Sequence, residues 1–363
     1  MIRSTNSADA ARAALALPTK SVILLIGPTD TGKTTFAHNL IRSALGESSP
    51  PIGYVDGDVG QTETGPPGVV NGIVITAKEA EEPPRTWPRI GGAFVGATSP
   101  VPRPMEWVAA IAVAGRKCLL NGADRVIVDT PGWVAGPSAA TVYRALIDII
   151  QPDLVLYFAR LNDPATLLNL FKGRTPPPLV AIVEHDNAVT RKSTKTRQAR
   201  RFARFATYFE GAVSHTMPWA SIGLVGTHLG KSPALPRHIL KFIGDTLRAN
   251  CVHASLLPDG GVHAVIETVS PAFGRVTAIE EHFKTKPVVL TSTESYDHLL
   301  CGLYDTAGEY IAAALIQRID FGTEAITLLT PLKHAAAIAQ VVGGAVRVTP
   351  DGRELGEVRP GMI

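Results

Sequence analysis

The chain has 363 residues, 45% hydrophobic and 18% charged, which supplies a sizeable core for roughly two or three domains and excludes wholesale disorder. No apolar run approaches the ~20 residues that span a bilayer, the patch at 13–17 is too short and interrupted for a secretory signal, and three scattered cysteines without a C-x-x-C argue against a disulfide framework or a zinc site. A cytoplasmic protein with no membrane partner is expected. The net charge of +3 hides an uneven distribution: residues 191–204, RKSTKTRQARRFAR, hold seven basic residues and no acid, and the total less these seven leaves −4 on the rest. A patch this concentrated points to an anionic partner.

In chain order, residues 1–17 read as a short Ala-rich helical extension. SVILLIG from residue 21 is a continuous apolar run, as a parallel strand buried on both faces requires, and a glycine loop at 27–34 leads into a helix ending near residue 45. Strands are expected at 51–55, 69–76, 90–95, 125–129, 154–159 and 179–183, with helices at 105–120 and 138–150 and a basic helix at 191–209. Alternation of short strands and helices over the first 220 residues or so means an α/β fold with a mostly parallel sheet flanked by helices. A strand at 221–225 and a helix at 236–247 follow. Beyond them the texture turns to β-like runs, at 252–257, 261–267, 275–278, 288–292 and 325–329, with a terminal hairpin about Asp351-Gly352. The expected organisation is a helical extension at 1–17, a P-loop domain at 18–235 and a smaller β-rich domain at 236–363.

GPTDTGKT, residues 27–34, fits G-x-x-x-x-G-K-[ST] between an expected strand and an expected helix, the context that identifies a P-loop. Its backbone amides and the helix N-terminus suit phosphates. Gly27, Thr29, Asp30, Thr31, Gly32, Lys33, Thr34 and Thr35 are the candidate nucleotide-binding residues, with Lys33 reaching the β/γ-phosphates and Thr34 ligating Mg²⁺. Asp56-Gly57-Asp58-Val59-Gly60-Gln61 follows a short strand, and carboxylates at such a strand end lie where open α/β sheets bind ligands. Asp56 and Asp58 can hold Mg²⁺ through water or take a proton from a hydroxyl, Gln61 can orient a phosphate or nucleophile, and an inert Asp/Gly turn is the bland alternative. VIVDTPGWV puts Asp129 at a Walker-B-like position near Mg²⁺, while its DTPG also fits the D-x-x-G of GTPases. GTPases read guanine with N-K-x-D after a later strand; the equivalent place here, 181–186, reads AIVEHD without the Asn-Lys pair. Trp133 beside a phosphate site either stacks a nucleobase or packs as an ordinary large aromatic. Thr98-Ser99-Pro100 at a strand end either contacts phosphate or ribose or forms a plain turn. Arg197, Arg200 or Arg201, and Arg204 share one helix face, a set matched to phosphate oxygens if it is not merely a solvated surface. The ten histidines form no metal-ligand cluster.

In order, GPTDTGKTTF, DGDVGQ, GATSP, VDTPGW and an Arg-rich helix ending in YFEG resemble the polynucleotide 5′-hydroxyl kinases related to the kinase subunit of the mRNA cleavage factor and to the pre-ribosomal-RNA processing kinases, over about residues 18–230. The resemblance implies ATP- and Mg²⁺-dependent transfer of the γ-phosphate to the 5′-hydroxyl end of single-stranded RNA or DNA. It assigns Asp58 to activation of the hydroxyl and Thr98, with Ser99 beside it, to a clasp near the phosphate path. Trp133 would stack the terminal nucleotide, and Arg197, with Arg191 or Arg200, would form a lid over the transferring phosphate. Arg201 and Arg204 would bind the strand with Gln61. Gly57 departs from the family, which has an apolar residue between the two aspartates. Two competing readings are a non-catalytic ATP-binding scaffold for RNA processing, suggested by the extra C-terminal domain, and a regulatory GTPase, suggested by DTPG.

Overall fold

The computed structural model describes residues 2–46, 48–160, 165–173, 178–184, 192–267, 275–284, 287–359 and 363. The chain forms two compact units, Met1–Arg204 and Phe205–Ile363.

The first unit runs β1 (Ile2–Thr5), α1 (Ser7–Leu15), β2 (Ser21–Ile26), α2 (Lys33–Ala44), β3 (Ile52–Asp56), β4 (Val69–Ile75), α3 (Ala77–Ala80), β5 (Arg89–Phe94), α4 (Pro104–Leu120), β6 (Arg125–Asp129), α5 (Pro137–Ile150), β7 (Leu154–Phe158) and β8 (Leu179–Val183), and then most of α6 (Thr194–Phe209). Its eight strands lie in the order β1-β8-β7-β2-β6-β3-β4-β5. The six from β1 to β3 are mutually parallel; β4 and β5 add on antiparallel at one edge. Successive side chains of β2 alternate between two cores. Leu24 and Ile26 pack on one face with Trp107 and Ile111 of α4 and Tyr143 and Leu146 of α5. Ile23 and Leu25 pack on the other with Ala10 and Ala14 of α1 and Ala37 and Ile41 of α2. A strand buried on both sides must be apolar at every position, as SVILLI is. With β2 central, the P-loop leaves it at the carboxyl end of the sheet, where β3, β6, β7 and β8 also deliver their loops.

The second unit carries β9 (Val213–Pro218), β10 (Gly223–Val225), α7 (Arg237–Leu247), β11 (Cys251–Leu256), β12 (Val262–Ile266), α8 (Val276–Phe283), β13 (Val288–Ser292), β14 (Leu299–Tyr304), β15 (Tyr310–Asp320), β16 (Ala325–Thr330), β17 (Gln340–Val348) and β18 (Glu354–Glu357). Seven of its strands make one mixed sheet, and β11-β12-β13 a second. Ile243 and Leu247 of α7 and Ile279 of α8 bury against Ala254, Val262 and Ala264 of that small sheet.

The organisation differs from expectation in three places. Residues 1–17 are no separate helical extension: Ile2–Thr5 pairs in parallel with β8 as the edge strand of the main sheet. The boundary expected at 235 moves upstream, because β9 and β10 pair with β16 and β17 of the C-terminal sheet. The run 275–278 is the start of a helix rather than a strand. Val276, Ile279 and Phe283 recur at helical spacing, and Ile279 is fully buried.

Candidate functional site

The P-loop is built by its backbone. Gly32, at φ 88°, caps α2 in the left-handed region, where glycine is unstrained. Lys33 is buried, and its Nζ donates to the carbonyls of Gly27 at 2.7 Å and Pro28 at 2.8 Å. Thr31 Oγ1 donates to the Pro28 carbonyl at 2.8 Å. Burial lowers the Lys33 pKa, and Asp129, Asp58 and Asp30 hold it up against that loss. A cavity of about 180 Å³ opens over this loop, lined by 29–35 together with Asp58, Gln61, Arg197 and Arg200.

The two aspartates after β3 do different work. Asp56 is buried, and a single oxygen, Oδ2, accepts from Thr62 Oγ1 (2.7 Å), Glu63 N (3.0 Å), Thr64 N (3.2 Å) and Thr64 Oγ1 (2.7 Å). It fastens the loop 57–64 to the end of the strand. Asp58 instead faces the cavity. Its Oδ1 accepts from the amides of Gly60 and Gln61, each at 3.0 Å, which fixes its direction. Burial pushes the Asp58 carboxyl above its ordinary pKa, against the pull of those two amides and of Lys33. Trp107 Nε1 donates to the Gly57 carbonyl at 2.9 Å, and Gly57 N to the Asp129 carbonyl at 2.9 Å. A Cβ at residue 57 would stand 2.6 Å from that carbonyl and 3.2 Å from Ile111 Cδ1, so no larger residue fits between the aspartates here.

Asp129 ends β6 beneath the P-loop. Its Oδ2 accepts from Thr34 Oγ1 at 2.5 Å and from Tyr54 OH at 3.4 Å, while Oδ1 is buried without a partner among the described residues. Burial raises its pKa to about 7, with Lys33 and the Thr34 hydroxyl opposing. An orphaned, desolvated carboxylate oxygen beside a threonine hydroxyl is a donor set that fits a hard divalent cation such as Mg²⁺. Thr130 Oγ1 donates to the Leu25 carbonyl (2.7 Å) and Tyr143 OH to Thr130 Oγ1 (3.0 Å), which fixes the strand end that Asp129 occupies.

The basic helix reaches the P-loop through its first turn. Arg197 Nη2 donates to Asp30 Oδ2 at 2.6 Å, the Lys192 amide donates to the same oxygen at 3.1 Å, and Gln61 Nε2 donates to the Arg197 carbonyl at 3.4 Å.

Residues 27–211 match the family described as mRNA cleavage and polyadenylation factor CLP1 P-loop. The chain belongs to that family. Relatives include the polyribonucleotide 5′-hydroxyl-kinase of Pyrococcus furiosus, 25% identical over 346 residues that cover 94% of this chain and 92% of that protein. The polyribonucleotide 5′-hydroxyl-kinase of Methanocaldococcus jannaschii is 23% identical over 354 residues, 92% of this chain and 89% of its own. Wild-type Clp1p, solved in complex with Pcf11p, matches with a TM-score of 0.60 at 14% identity over 94% of this chain and 78% of that one, a likeness of fold.

Of the residues singled out by sequence, the cavity over the P-loop gathers Thr29, Asp30, Thr31, Gly32, Lys33, Thr34, Thr35, Asp58, Gln61, Arg197 and Arg200. Gly27 contributes its carbonyl, and Asp129 stands behind Thr34. Asp56 is committed to its loop. Thr98 borders the same loop, its carbonyl 2.5 Å from where a Gly60 Cβ would be. Ser99 Oγ accepts from the Val101 amide at 3.1 Å within its own turn. Trp133 is half-buried, one residue beyond Gly132, which packs on Thr29. Trp133, Thr98, Ser99, Arg201 and Arg204 do not line the cavity. Arg191 lies outside the described residues. Among these residues, no helix is long and apolar enough to cross a membrane.

Sequence reasoning missed His38, Glu63 and Lys192, which also line the cavity, and Arg160, whose guanidinium donates to the Thr29 carbonyl. His38 could have been found: it lies one helical turn after Thr34 on the same face. Burial lowers its pKa to about 4, and its ring packs edgewise on Tyr54 and Trp87. Arg160 carried no signal beyond its place after an apolar strand.

Proposed function

We infer that this protein transfers the γ-phosphate of ATP to the 5′-hydroxyl end of a polynucleotide, RNA or DNA, with Mg²⁺. The observation that carries the reading is the convergence of Asp58, Lys33 and Arg197 on one cavity over a P-loop, in a chain similar along nearly its whole length to proteins named polyribonucleotide 5′-hydroxyl-kinase. Phosphoryl transfer requires positioning and neutralisation of charge more than covalent chemistry.

Asp58 acts as the general base. Two amides hold its Oδ1 and so fix the carboxylate, and desolvation makes it a stronger base than a carboxylate in water. Lys33 and the guanidinium groups of Arg197 and Arg200 supply positive charge around the transferring group. Thr34 and Asp129 would hold Mg²⁺, which when bound neutralises phosphate charge. Asp56 is a positioning residue: it holds the loop from which Asp58 projects. Trp133, one residue beyond the cavity-lining Gly132, stacks the first base of the strand. The Arg201 and Arg204 side of the helix meets phosphates farther along, a sequence-tolerant mode of binding.

The test uses γ-labelled ATP, Mg²⁺ and short RNA and DNA strands with 5′-hydroxyl ends. Label appears on the 5′ end with wild type and is lost in Lys33→Ala and Asp58→Ala, both melting near the wild-type temperature. ATP bound without any transfer would replace this reading with the scaffold, and a clear preference for GTP with the GTPase.

A further inference from the structure

The second unit segregates charge as the first does. Residues 231–250 hold four basic side chains and one acidic one, whereas 251–363 hold eight basic and thirteen acidic. Three of the four cations, Arg237, Lys241 and Arg248, line one hollow of about 680 Å³ with Gly244, Asp245 and Asn250. Positions 237, 241, 244 and 248 recur at helical spacing, so one face of α7 and its C-terminal cap supply the wall. Gly244 leaves the middle of that wall open, and no larger residue fits there: a Cβ would stand 2.8 Å from the Ala249 carbonyl. The close approach comes from the way the helix ends. Arg248 takes the left-handed conformation at φ 55°, and the Ala249 amide turns back to donate to the Gly244 carbonyl at 3.0 Å.

Among the described residues, the side chains of Arg237, Lys241 and Arg248 make no ion pair and no hydrogen bond, and Asp245, one turn beyond Lys241, pairs with none of them. The partial negative charge of the helix C-terminus accounts for a cation at Arg248. It does not account for Arg237 at the first residue of α7 or Lys241 one turn later. One residue beyond Lys241, Phe242 stacks with His282 of α8, the ring centroids 4.1 Å apart and the planes tilted by 32°, and His282 is exposed. Unpaired cations along a hollow, with an exposed ring held by an aromatic neighbour, combine backbone attraction with a stacking surface.

We propose that this face of α7 is a separate contact for single-stranded nucleic acid in the second unit, its three cations on backbone phosphates and a base laid on His282. Arg237 and Arg248 carry planar forks that match phosphate oxygens. The floor of the hollow is glycine, not the apolar pocket that anchors a protein partner. A single strand is favoured over a duplex because its bases are free to stack. Binding of this kind tolerates any sequence and weakens steeply with salt. The proposal does not rest on phosphoryl transfer, since the contact needs neither the P-loop nor a 5′-hydroxyl.

The test is photo-crosslinking of the full chain to a long RNA that contains 4-thiouridine and ends in a 5′-phosphate, without ATP or Mg²⁺, followed by peptide mapping. Label is expected within residues 237–251 or 276–283 and is competed by a uridine homopolymer. Three phosphate contacts on a single strand give a salt slope of about −2, so the affinity read from label in these peptides should fall about 16-fold between about 50 and 200 mM salt. The triple variant Arg237→Ala, Lys241→Ala, Arg248→Ala should lose this label and keep any label within 191–204. No competed label at α7 or α8 of the wild-type chain overturns the proposal, as does label that the folded triple variant retains or that salt leaves unchanged. If the variant does not fold, the wild-type label and its salt dependence decide. Displacement by poly-glutamate as readily as by RNA would overturn it in favour of an acidic protein partner. A chain that takes this label yet phosphorylates no 5′-hydroxyl end loses the kinase reading and keeps this one, and a chain that phosphorylates without taking it does the reverse.

Discussion

Replacing Asp30 by asparagine should loosen the basic helix from the P-loop by a measurable amount. Asp30 Oδ2 takes both Arg197 Nη2 and the Lys192 amide, and the carboxylate is only 9% exposed. Asparagine keeps the shape and tolerates the left-handed backbone at φ 57°, so the change is one of charge. A hydrogen bond to a charged group contributes about 1.5–3 kcal/mol and a neutral one about 0.5–1.5 kcal/mol. The exchange therefore costs about 1–2 kcal/mol, which raises the detached fraction roughly 5- to 30-fold. Trypsin reads this directly, since Lys192, Lys195 and Arg197 lie in the tethered turn and cleavage follows the open population when reclosing is fast. Without nucleotide, Asp30→Asn should be cut about tenfold faster there than wild type, with no change elsewhere in the first unit. Equal rates would mean that the ion pair does not hold the helix and that the Gln61 contact and packing suffice.

Gly57→Ala should lower the melting temperature of the first unit by roughly 2–10 °C, the equivalent of about 1–3 kcal/mol of overpacking, because its Cβ would meet the Asp129 carbonyl at 2.6 Å. Gly115→Ala, in α4 with nothing within 4 Å of the new methyl, should instead stabilise by about 0.5–1 kcal/mol; the same sign for both would refute the steric account. Trp133→Ala should weaken single-strand binding by about 1–3 kcal/mol and leave ATP binding intact, and equal loss of both would contradict stacking. Burial holds the His263 pKa down to about 3, with His228 and His253 adding to the depression, whereas an unfolded histidine titrates near 6.5. Between those values the unfolded chain carries the extra proton, so stability falls as the pH falls below about 6.5, by up to ~1.4 kcal/mol per pH unit. A melt of the second unit that is flat between pH 7 and pH 5, or one in which His263→Gln leaves the slope unchanged, would refute this.

Much of the lining of the cavity over the P-loop could be read from the sequence. A P-loop, an Asp-x-Asp-x-Gly-Gln and an Asp at a strand end are short motifs whose residues act close to where they stand in the chain, so spacing reveals them. What spacing did not reveal was the division of labour between Asp56 and Asp58, because that depends on which carboxylate meets Thr62 and Thr64. Arg160 and His38 reach the site by neighbourhood alone, from a strand end and a helix face. In the first sheet, continuous apolar runs marked the buried strands. β1 escaped because IRST is short and polar, as an edge strand can be. In the second unit, β9 alternates without strong apolar character and pairs with β16 far along the chain, so its place is set by a long-range partner, whereas β14 and β15 form a local hairpin that went unread. The run at 275–278 misled because β-branched residues in a short window outweigh a helical period that needs eight residues to appear.

The place of β1 has a practical bearing on how the protein is handled. Because it runs parallel to β8, its first residue lies at the end of the sheet opposite the P-loop cavity. Fusions at that end would leave the mouth of that cavity clear. Trimming the first five residues would be costly in another way: it would bare the hydrogen-bonding edge of β8, whose LVAIV sequence is a β-branched, uncharged segment. A shortened chain should therefore be recovered as aggregates before it is recovered as a weaker enzyme.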